Sequence, residues 1–317
     1  MPLLRFIPEA TNFDFVKWRF LAVGVTVVLL LIASISIGVR GFNLGIDFTG
    51  GVLMEVKSAK PIDIAQMREQ VNSLNFPETG MQYFGGGVCD QPVNSCVMIR
   101  IQPHDNADQS GGAEAAVAAV KAKLGTGYEY RRTEVVGPRV SGELFRDGVI
   151  ATLLAVAMIG VYVAVRFEWQ YGISALLSTF HDVFVTAGFF SLFQLDFNIN
   201  TVAALLLLAG YSINDTVVVF DRIRENRRKY KRMPLKEMIN LSTNQMLTRT
   251  ILVSGSTALS VIPLLWGGHV LENFSIVILF GIVLGTFSSI YVAATLLLWM
   301  PEVGKGVVEQ KPGTATA

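Results

Sequence analysis

The chain has 317 residues, of which 51% are hydrophobic and only 16% charged, and its mean hydropathy is +0.48. This composition excludes an ordinary soluble globular domain and indicates an integral membrane protein. The formal net charge of +1 identifies no partner, and it gives no sign of nucleic-acid binding.

Six apolar runs are long enough to cross about 30 Å of hydrocarbon. They lie at residues 20–39, 148–165, 171–193, 199–220, 250–266 and 273–299. The sequence therefore predicts an α-helical membrane protein with six transmembrane helices. The predicted segments are a cytoplasmic N-terminus at 1–19, a first helix at 20–40, an external domain at 41–146, five further helices within 147–300 that include a basic cytoplasmic loop at 221–249, and a disordered cytoplasmic tail at 301–317.

The first apolar run has a second interpretation as the core of a secretory signal. The residues before it are basic, and Ser34 and Ser36 offer a small-residue cleavage site. Against this, the run at 20–39 is longer than the usual signal core of roughly 7–15 residues. The length favours a retained membrane anchor.

A glycine-rich stretch, GIDFTGG at 45–51, follows the first run directly. Glycine tolerates backbone conformations that other residues avoid, so Gly45, Gly50 and Gly51 allow a tight reversal of the chain. The reversal places Asp47 at the outer membrane interface. We expect this turn to form the seam between the external domain and the membrane helices.

The external segment alternates between strand-like and helix-like patterns. The strand candidates are 51–57, 79–85, 95–102 and 128–136, and the helix candidates are 61–74 and 113–124. The resulting order, β-α-β-β-α-β, is that of a ferredoxin-like α+β domain. The sequence therefore predicts such a domain between the first and second transmembrane helices.

The two cysteines of the chain, Cys89 and Cys96, lie between the second and third predicted strands. If this loop is outside the cytoplasm, its compartment is oxidising and a disulfide is the favoured interpretation. Metal binding by two cysteines and a pair of free thiols are the alternatives. The expected role of the disulfide is structural.

Two polar residues, His181 and Asp182, interrupt the third apolar run. They lie in the middle of the membrane if this helix starts at Tyr171, but near its cytoplasmic edge if residues 171–178 form an interfacial helix. A structural or helix-capping role is the preferred interpretation, and a proton relay is the alternative.

Asp215 lies inside the fourth apolar run, and a charge in hydrocarbon costs on the order of 2.5–3.5 kcal/mol or more. The first charge of the fifth run is Arg249, which should lie at a similar depth on a neighbouring antiparallel helix. An acid and a base at matched depth reduce each other's desolvation cost. We therefore expect Asp215 and Arg249 to interact.

Further polar residues accompany this pair. Gln245, Arg249, Ser256 and Ser260 are spaced by four, seven and four residues, which places them on one helical face. On the fourth run, Ser212 and Asn214 stand close to Asp215. Small and polar residues of this kind are typical of an interior, partly hydrated path.

The buried pair supports two interpretations. It either fixes helix packing as an inert ion pair or carries protons, taking one up in one conformation and releasing it in another. The proton role is favoured because ionisable residues within membranes mark ion pathways by default.

Basic residues in short loops mark the cytoplasmic side of a membrane protein. Arg5, Lys17, Arg19 and Arg166 mark one side, and the segment 221–249 adds nine basic residues to it, whereas 194–198 and 267–272 have none. Both termini are therefore predicted to be cytoplasmic. The segment 221–249 is expected to lie on anionic lipid, and docking of a cytoplasmic partner is the alternative.

These residues bear a close resemblance to a known family. The matching stretches are GIDFTGG (45–51), HDV (181–183), GYSINDTVVVFDRIRE (210–225) and TNQMLTRT (243–250). Over nearly its whole length the chain resembles the SecF branch of the SecD/SecF protein-export family, which belongs to the resistance-nodulation-division superfamily.

The resemblance implies a multi-pass protein of the bacterial inner membrane that pairs with a SecD subunit. It implies that the pair assists the SecYEG translocon and uses the proton-motive force to move preproteins, which it meets on the periplasmic side. It also implies that Asp215 and Arg249 carry proton coupling, with the proton gradient as energy source and no cofactor.

Two other classes of function remain open. A half-size proton-coupled exporter of small hydrophobic molecules or lipids should have a large aromatic-lined pocket in the external domain. An assembly scaffold would use Asp215 and Arg249 only as a clip. An enzyme is not expected, because the sequence has no phosphate-binding loop, zinc-ligand spacing or nucleophile motif, and its three histidines are scattered.

Overall fold

The structure, a computed structural model, describes residues 11–85, 89, 92–103, 111–266 and 269–301. Arg5, His104 and the predicted tail after residue 301 therefore lie outside the described residues. Within them, six helices are long and apolar enough to cross a membrane, as the sequence predicts. The helices are α1 (Arg19–Arg40), α2 (Ile46–Thr49), α3 (Ile64–Asn72), α4 (Gly111–Leu124), α5 (Pro138–Arg166), α6 (Trp169–Phe193), α7 (Ile199–Lys229), α8 (Leu235–Val261), α9 (His269–Phe287) and α10 (Ala294–Leu296).

Six strands complete the described structure: β1 (Asn43–Leu44), β2 (Gly51–Lys57), β3 (Thr79–Tyr83), β4 (Cys96–Ile101), β5 (Glu129–Val136) and β6 (Asp196–Phe197). Residues 51–136 form what we call the sheet domain. The end of the helix bundle that carries it is called the domain side, and the end that carries the turn between α7 and α8 is called the basic side.

The sheet domain follows the predicted alternation of strands and helices. Its four strands form one antiparallel sheet in the order β3-β4-β2-β5. Helices α3 and α4 cover one face, where Val52, Met54 and Val56 of β2 are buried. The other face points toward the membrane helices and carries Leu53 and Glu55.

A disulfide joins Cys89 to Cys96 at the start of β4. It closes the connection between β3 and β4. Both half-cystines are buried, and Ser95 donates a hydrogen bond to the Cys89 carbonyl at 3.3 Å. The bond therefore fixes the end of a central strand to the loop that precedes it.

The segment 221–249 differs from the prediction, because it is almost wholly helical. Helix α7 continues to Lys229 and α8 begins at Leu235, so only 230–234 form a turn. Basic residues stabilise the last turn of a helix through its dipole, and proline is favoured at a helix start. The apolar residues Met238 and Ile239 pack into the protein core rather than onto lipid.

The third membrane helix also differs from one of the two predicted arrangements. Helix α6 runs without interruption from Trp169 to Phe193, so residues 171–178 do not form a separate interfacial helix. His181 and Asp182 consequently lie near its middle. A helix-capping role for this pair is wrong, because caps occupy the ends of helices.

The last membrane helix contains one wider turn. Residues Ser288–Ala293 are π-helical and continue α9 into α10. Such turns are rare and are frequently found at functional sites. Here the wider turn brings two adjacent side chains, Ser288 and Ser289, into the buried interior.

Candidate functional site

Asp215 lies in α7 with only 6% of its surface exposed, and its Oδ2 atom has no hydrogen-bond partner. The helix around it is regular, and its start is fixed by a capping box in which Asn198 and Thr201 bond each other's backbone amides. Burial of a carboxylate with an unbonded oxygen is costly. The protein nevertheless keeps this carboxylate in the middle of α7, a helix whose start is fixed by its capping box.

Arg249 lies on α8 within electrostatic reach of Asp215, and the Ser254 hydroxyl lies beside the same carboxylate. The two charged groups lie too far apart to form an ion pair in this structure. Arg249 is exposed and Asp215 is buried. The predicted interaction is therefore electrostatic and at a distance in this conformation.

A polar cavity of about 440 Å³ opens beside this pair on the basic side. Arg249 lines it together with Val217 and Val218, which follow Asp215 on α7. The charged residues at its mouth are Arg166, Asp221, Arg222 and Glu225. The cavity gives water and ions access to Arg249 and to the turn of α7 that follows Asp215.

The predicted polar stripe on α8 points outward. Ser256 and Ser260 are exposed and donate hydrogen bonds to carbonyls of their own helix, Val253 and Ser256, at 2.9 Å. Gln245 is exposed too, and its Oε1 accepts hydrogen bonds from Arg222 at 2.7 Å and Asn226 at 2.9 Å. The four residues share one face, as predicted, but Ser256 and Ser260 do not line an interior path.

Ser254 is the buried hydroxyl that the sequence analysis missed. It accepts a hydrogen bond from Tyr211 at 3.2 Å and shares one with Thr286 at 3.0 Å. Asn214, in contrast, is exposed, so its position next to Asp215 in the sequence does not place it in the site. The polar surroundings of Asp215 therefore come from α8 and α9 rather than from its immediate neighbours.

Asp182 forms a second centre in which both carboxylate oxygens are bonded, whereas the Nε2 atom of His181 is buried without a partner. Asp182 Oδ1 lies 2.9 Å from His181 Nδ1, and Asp182 Oδ2 accepts hydrogen bonds from Ser212 at 2.5 Å and Ser288 at 2.6 Å. All four side chains are buried. One carboxylate thus connects α6, α7 and the π-helical turn, and Ser212, which we expected beside Asp215, belongs to this centre.

The glycine-rich turn lies on the domain side, as predicted. Gly51 has φ +112°, and a Cβ there would lie 2.6 Å from the Ile101 carbonyl oxygen, so only glycine fits. Gly50 also has a positive φ, of +75°. Asp47 accepts a hydrogen bond from the backbone amide of Ile199 at 3.0 Å, and therefore caps the start of α7.

Gly45 contacts the same connection between α6 and α7. Its amide donates a hydrogen bond to the Phe197 carbonyl at 2.8 Å, beside the two-residue parallel pair of β1 and β6. The turn therefore holds the start of α7 in two ways. Sequence reasoning located the seam but not the helix that it holds.

Asp196, at the centre of this seam, had no signal in the sequence. It is 4% exposed and pairs with Arg100 of β4 at 2.5 Å. A single acid in a short loop has no periodicity to reveal it, and its partner lies far away along the chain. A polar cavity of about 200 Å³ adjoins it and is lined by charged residues of the sheet face, among them Glu55, Arg132 and Glu134.

An aromatic-lined cavity of about 200 Å³ lies between α5, α6 and α7. Phenylalanines dominate its wall: Phe42, Phe48, Phe145, Phe180, Phe184 and Phe197. An exporter of small hydrophobic molecules was expected to have such a pocket in the external domain. This cavity lies among the membrane helices instead.

Two family profiles match this chain. The profile described as protein export membrane protein SecD/SecF, C-terminal, matches residues 116–303, and the one described as the SecD/SecF GG motif matches residues 35–62. The second match contains the glycine-rich turn with Asp47. The first contains Asp182, Asp196, Asp215 and Arg249.

Similar proteins are found among both sequences and solved structures. The protein translocase subunit SecF of Rickettsia felis is 39% identical over 295 residues, which is 93% of this chain and 94% of the relative. The crystal structure of SecDF, a translocon-associated membrane protein from Thermus thermophilus, is 33% identical with a TM-score of 0.79 over 93% of this chain. A structure of SecDF in a form called super-membrane-facing is 34% identical with a TM-score of 0.65 over the same share. This chain spans 39% of each SecDF chain.

Proposed function

Because this chain belongs to the SecD/SecF family of protein export membrane proteins, we propose that it is an accessory subunit of bacterial preprotein translocation that pairs with a SecD subunit. The similarity to part of a SecDF chain supports the pairing. The further partners are the SecYEG translocon and the preprotein on its periplasmic side. The role is transport, and no cofactor takes part.

We place the protein in the bacterial inner membrane with both termini in the cytoplasm. The basic side carries Arg166 and the run of cations at the end of α7, which supports a cytoplasmic position for that side. The domain side is then periplasmic, and a disulfide between Cys89 and Cys96 suits that oxidising compartment. The strand order and the two helices on one face support a ferredoxin-like assignment for the sheet domain.

Asp215 is the proton carrier in this proposal. The observation that carries it is the buried carboxylate with an unbonded oxygen, within reach of an arginine that lines an open polar cavity. An ionised Asp215 attracts Arg249, and a protonated Asp215 does not. Proton uptake and release therefore change the force between α7 and α8, which supplies a way to turn a proton gradient into helix movement.

Asp182 differs from Asp215 because both of its carboxylate oxygens are hydrogen-bonded. Its carboxylate has three hydrogen-bond partners from three segments. Movement of a proton through it would require breaking these bonds. We therefore assign Asp182 and His181 a structural role, as the fixed point against which α7 moves.

The test compares Asp215→Asn with Glu237→Gln, an exposed acid on the neighbouring helix α8 that does not line the cavity, in vesicles that contain the complete chain and its SecD subunit. Asparagine keeps the shape of aspartate but cannot exchange a proton. Asp215→Asn should abolish both proton uptake and gradient-driven preprotein movement, and Glu237→Gln should leave both in place. Normal activity of Asp215→Asn in both assays would favour the scaffold interpretation.

A further inference from the structure

A small polar joint connects the sheet domain to the connection between α6 and α7. The carboxylate of Asp196 accepts hydrogen bonds from Asn43 Nδ2 at 2.8 Å and Gln82 Nε2 at 3.0 Å, and it pairs with Arg100 at 2.5 Å. These donors lie on β1, β3 and β4 respectively. We call these four residues the Asp196 joint.

The joint surrounds a buried carboxylate with partly buried partners and has a defined geometry. The Asp196 side chain is 3% exposed and that of Arg100 is 19% exposed. Arg100 also donates a hydrogen bond to Asn43 Oδ1 at 3.2 Å, so arginine, amide and carboxylate bond to one another. A buried ion pair contributes little net stability relative to apolar groups, but loss of one partner leaves an uncompensated charge. Its contribution here is to fix the position of β1 and β6 relative to β3 and β4.

The path of the chain makes this joint mechanically important. The chain enters the sheet domain from α1 and leaves it into α5, so α7 has no direct covalent connection to the domain. A displacement of α7 reaches the domain through noncovalent contacts. Asp196 lies two residues before the N-cap of α7, Asn198, and Asp47 binds the first residue of the helix.

Helix α7 connects the joint to the proton carrier. It is continuous from Ile199 to Lys229 and has no proline, so it moves as one stiff rod. Asp215 lies 16 residues after Ile199 (215 − 199), which corresponds to about 24 Å along the axis. A change at Asp215 is therefore transmitted along the helix to its start beside the joint.

We propose that the Asp196 joint passes the displacement of α7 to the sheet domain, with Arg100 and Asp196 as positioning residues. The inference rests on the proposed proton-coupled function and deepens it. Proton uptake belongs to Asp215 and its cavity, and the joint converts the resulting helix movement into movement of the domain that meets the preprotein. Loss of the joint then separates the two activities.

The test uses the complete chain with its SecD subunit in membrane vesicles and measures proton uptake and preprotein movement on the same preparation. The variants are Asp196→Asn and Arg100→Gln. Both should retain proton uptake, while gradient-driven preprotein movement falls by about five- to a hundredfold, the usual range of coupling between sites. Arg139→Gln is the matched control, because its pair with Glu143 at 3.7 Å is exposed on the same side of the membrane.

A milder variant covers the case in which loss of a buried charge prevents folding. Gln82→Ala removes one donor and leaves the ion pair in place, and it should show a smaller loss of preprotein movement with unchanged proton uptake. A parallel fall of both activities in the joint variants, or no fall in either, would overturn the proposal. Asp215→Asn in the same assay separates the two proposals: if it loses both activities while the joint variants behave like the parent, only the joint proposal fails.

Discussion

The Ser212 hydroxyl donates a hydrogen bond to Asp182 Oδ2 at 2.5 Å, and Ser212 lies three residues before Asp215 on the same helix. One turn of α7 therefore contains a residue bound to the fixed carboxylate and the carboxylate proposed to move protons. The two acids differ in bonding, because both oxygens of Asp182 are hydrogen-bonded whereas Oδ2 of Asp215 is not.

Asp182→Ala should destabilise the membrane part strongly. It leaves the Ser212 hydroxyl and the His181 Nδ1 atom without their partner, while Ser288 keeps its hydrogen bond to the Gly285 carbonyl at 3.1 Å. Each unsatisfied buried group costs about 1–3 kcal/mol. The measurement is the thermal midpoint of the purified complex in detergent. Asn214→Ala is the control, since Asn214 is exposed on the same helix and should leave the midpoint unchanged. An unaltered thermal midpoint for Asp182→Ala would contradict the structural role proposed for Asp182.

Gly188→Ala should separate α1 from α6. A Cβ at Gly188 would lie 2.2 Å from the Cβ of Ala33 on α1, and the contact is close on the backbone as well. Overpacking of this kind costs about 1–3 kcal/mol, so the thermal midpoint should fall. Gly24→Ala on α1 has nothing within 4 Å of the added Cβ and should be neutral or slightly stabilising. Equal midpoints for the two variants would contradict the close packing of α1.

The N-terminal segment should respond to acid. Asp14 accepts hydrogen bonds from Asn240 Nδ2 at 2.6 Å and from the Lys17 amide at 3.0 Å. The bond from Asn240 holds the pKa of Asp14 below its ordinary value. A lowered pKa in the folded state means that the ionised form is stabilising above the unfolded pKa of about 3.9, and that this contribution is lost as the pH falls through the folded value.

Hydrogen–deuterium exchange of residues 13–18 across the acid range measures this response. Protection should fall as the pH decreases. Asp14→Asn should remove the pH dependence, and Asp47→Asn, on the other side of the membrane, should not change it. Retained protection of the parent protein at strongly acidic pH would contradict the role of Asp14.

Reduction of the disulfide should loosen the sheet domain locally. The bond between Cys89 and Cys96 closes a short loop with a sequence separation of 7. A cross-link of this size stabilises by about 2–3 kcal/mol in the chain-entropy model. The double variant Cys89→Ser, Cys96→Ser should raise hydrogen exchange in β4 and leave exchange in α6 unchanged. Equal exchange in β4 with and without the disulfide would contradict its stabilising role.

The protein should co-purify with a SecD subunit from native membranes. The exposed faces of α5 and α8 carry large apolar side chains, among them Leu153, Met158, Leu252 and Leu259, which lipid or another membrane subunit must cover. Size-exclusion chromatography with mass analysis after mild solubilisation should give a complex larger than one chain. Elution as a lone chain under conditions that preserve other membrane complexes would argue against the pairing.

The helices and strands could be predicted because burial imposes a period on the sequence. Continuous apolar runs give membrane helices, and alternation gives the strands of the sheet domain, such as Gly51–Lys57. Asp215 was predictable for a similar reason, since a charge inside an apolar run is conspicuous. The end of a helix is less conspicuous, and the extension of α7 to Lys229 was missed because its last turns are mostly polar.

The contacts that complete the site could not be predicted from spacing. Helical periodicity shows that Arg249, Ser256 and Ser260 share a face, but not that this face points outward. Ser288 bonds to Asp182 across 106 residues, and Asp196 meets Arg100 from a different domain. Such pairings depend on how elements pack, and a single sequence has no local signal for them.

The π-helical turn at Ser288–Ala293 gives the last membrane helix one residue more than a regular coil needs. A π-helical turn can shift along a helix without unwinding it. Each shift by one residue rotates the following part of the helix relative to the neighbouring helices. Ser288 and Ser289 stand at this point, bonded to Asp182 and Thr216. Within the part of the chain that the structure describes, the Asp182 centre is thus attached to a helix at its π-helical turn.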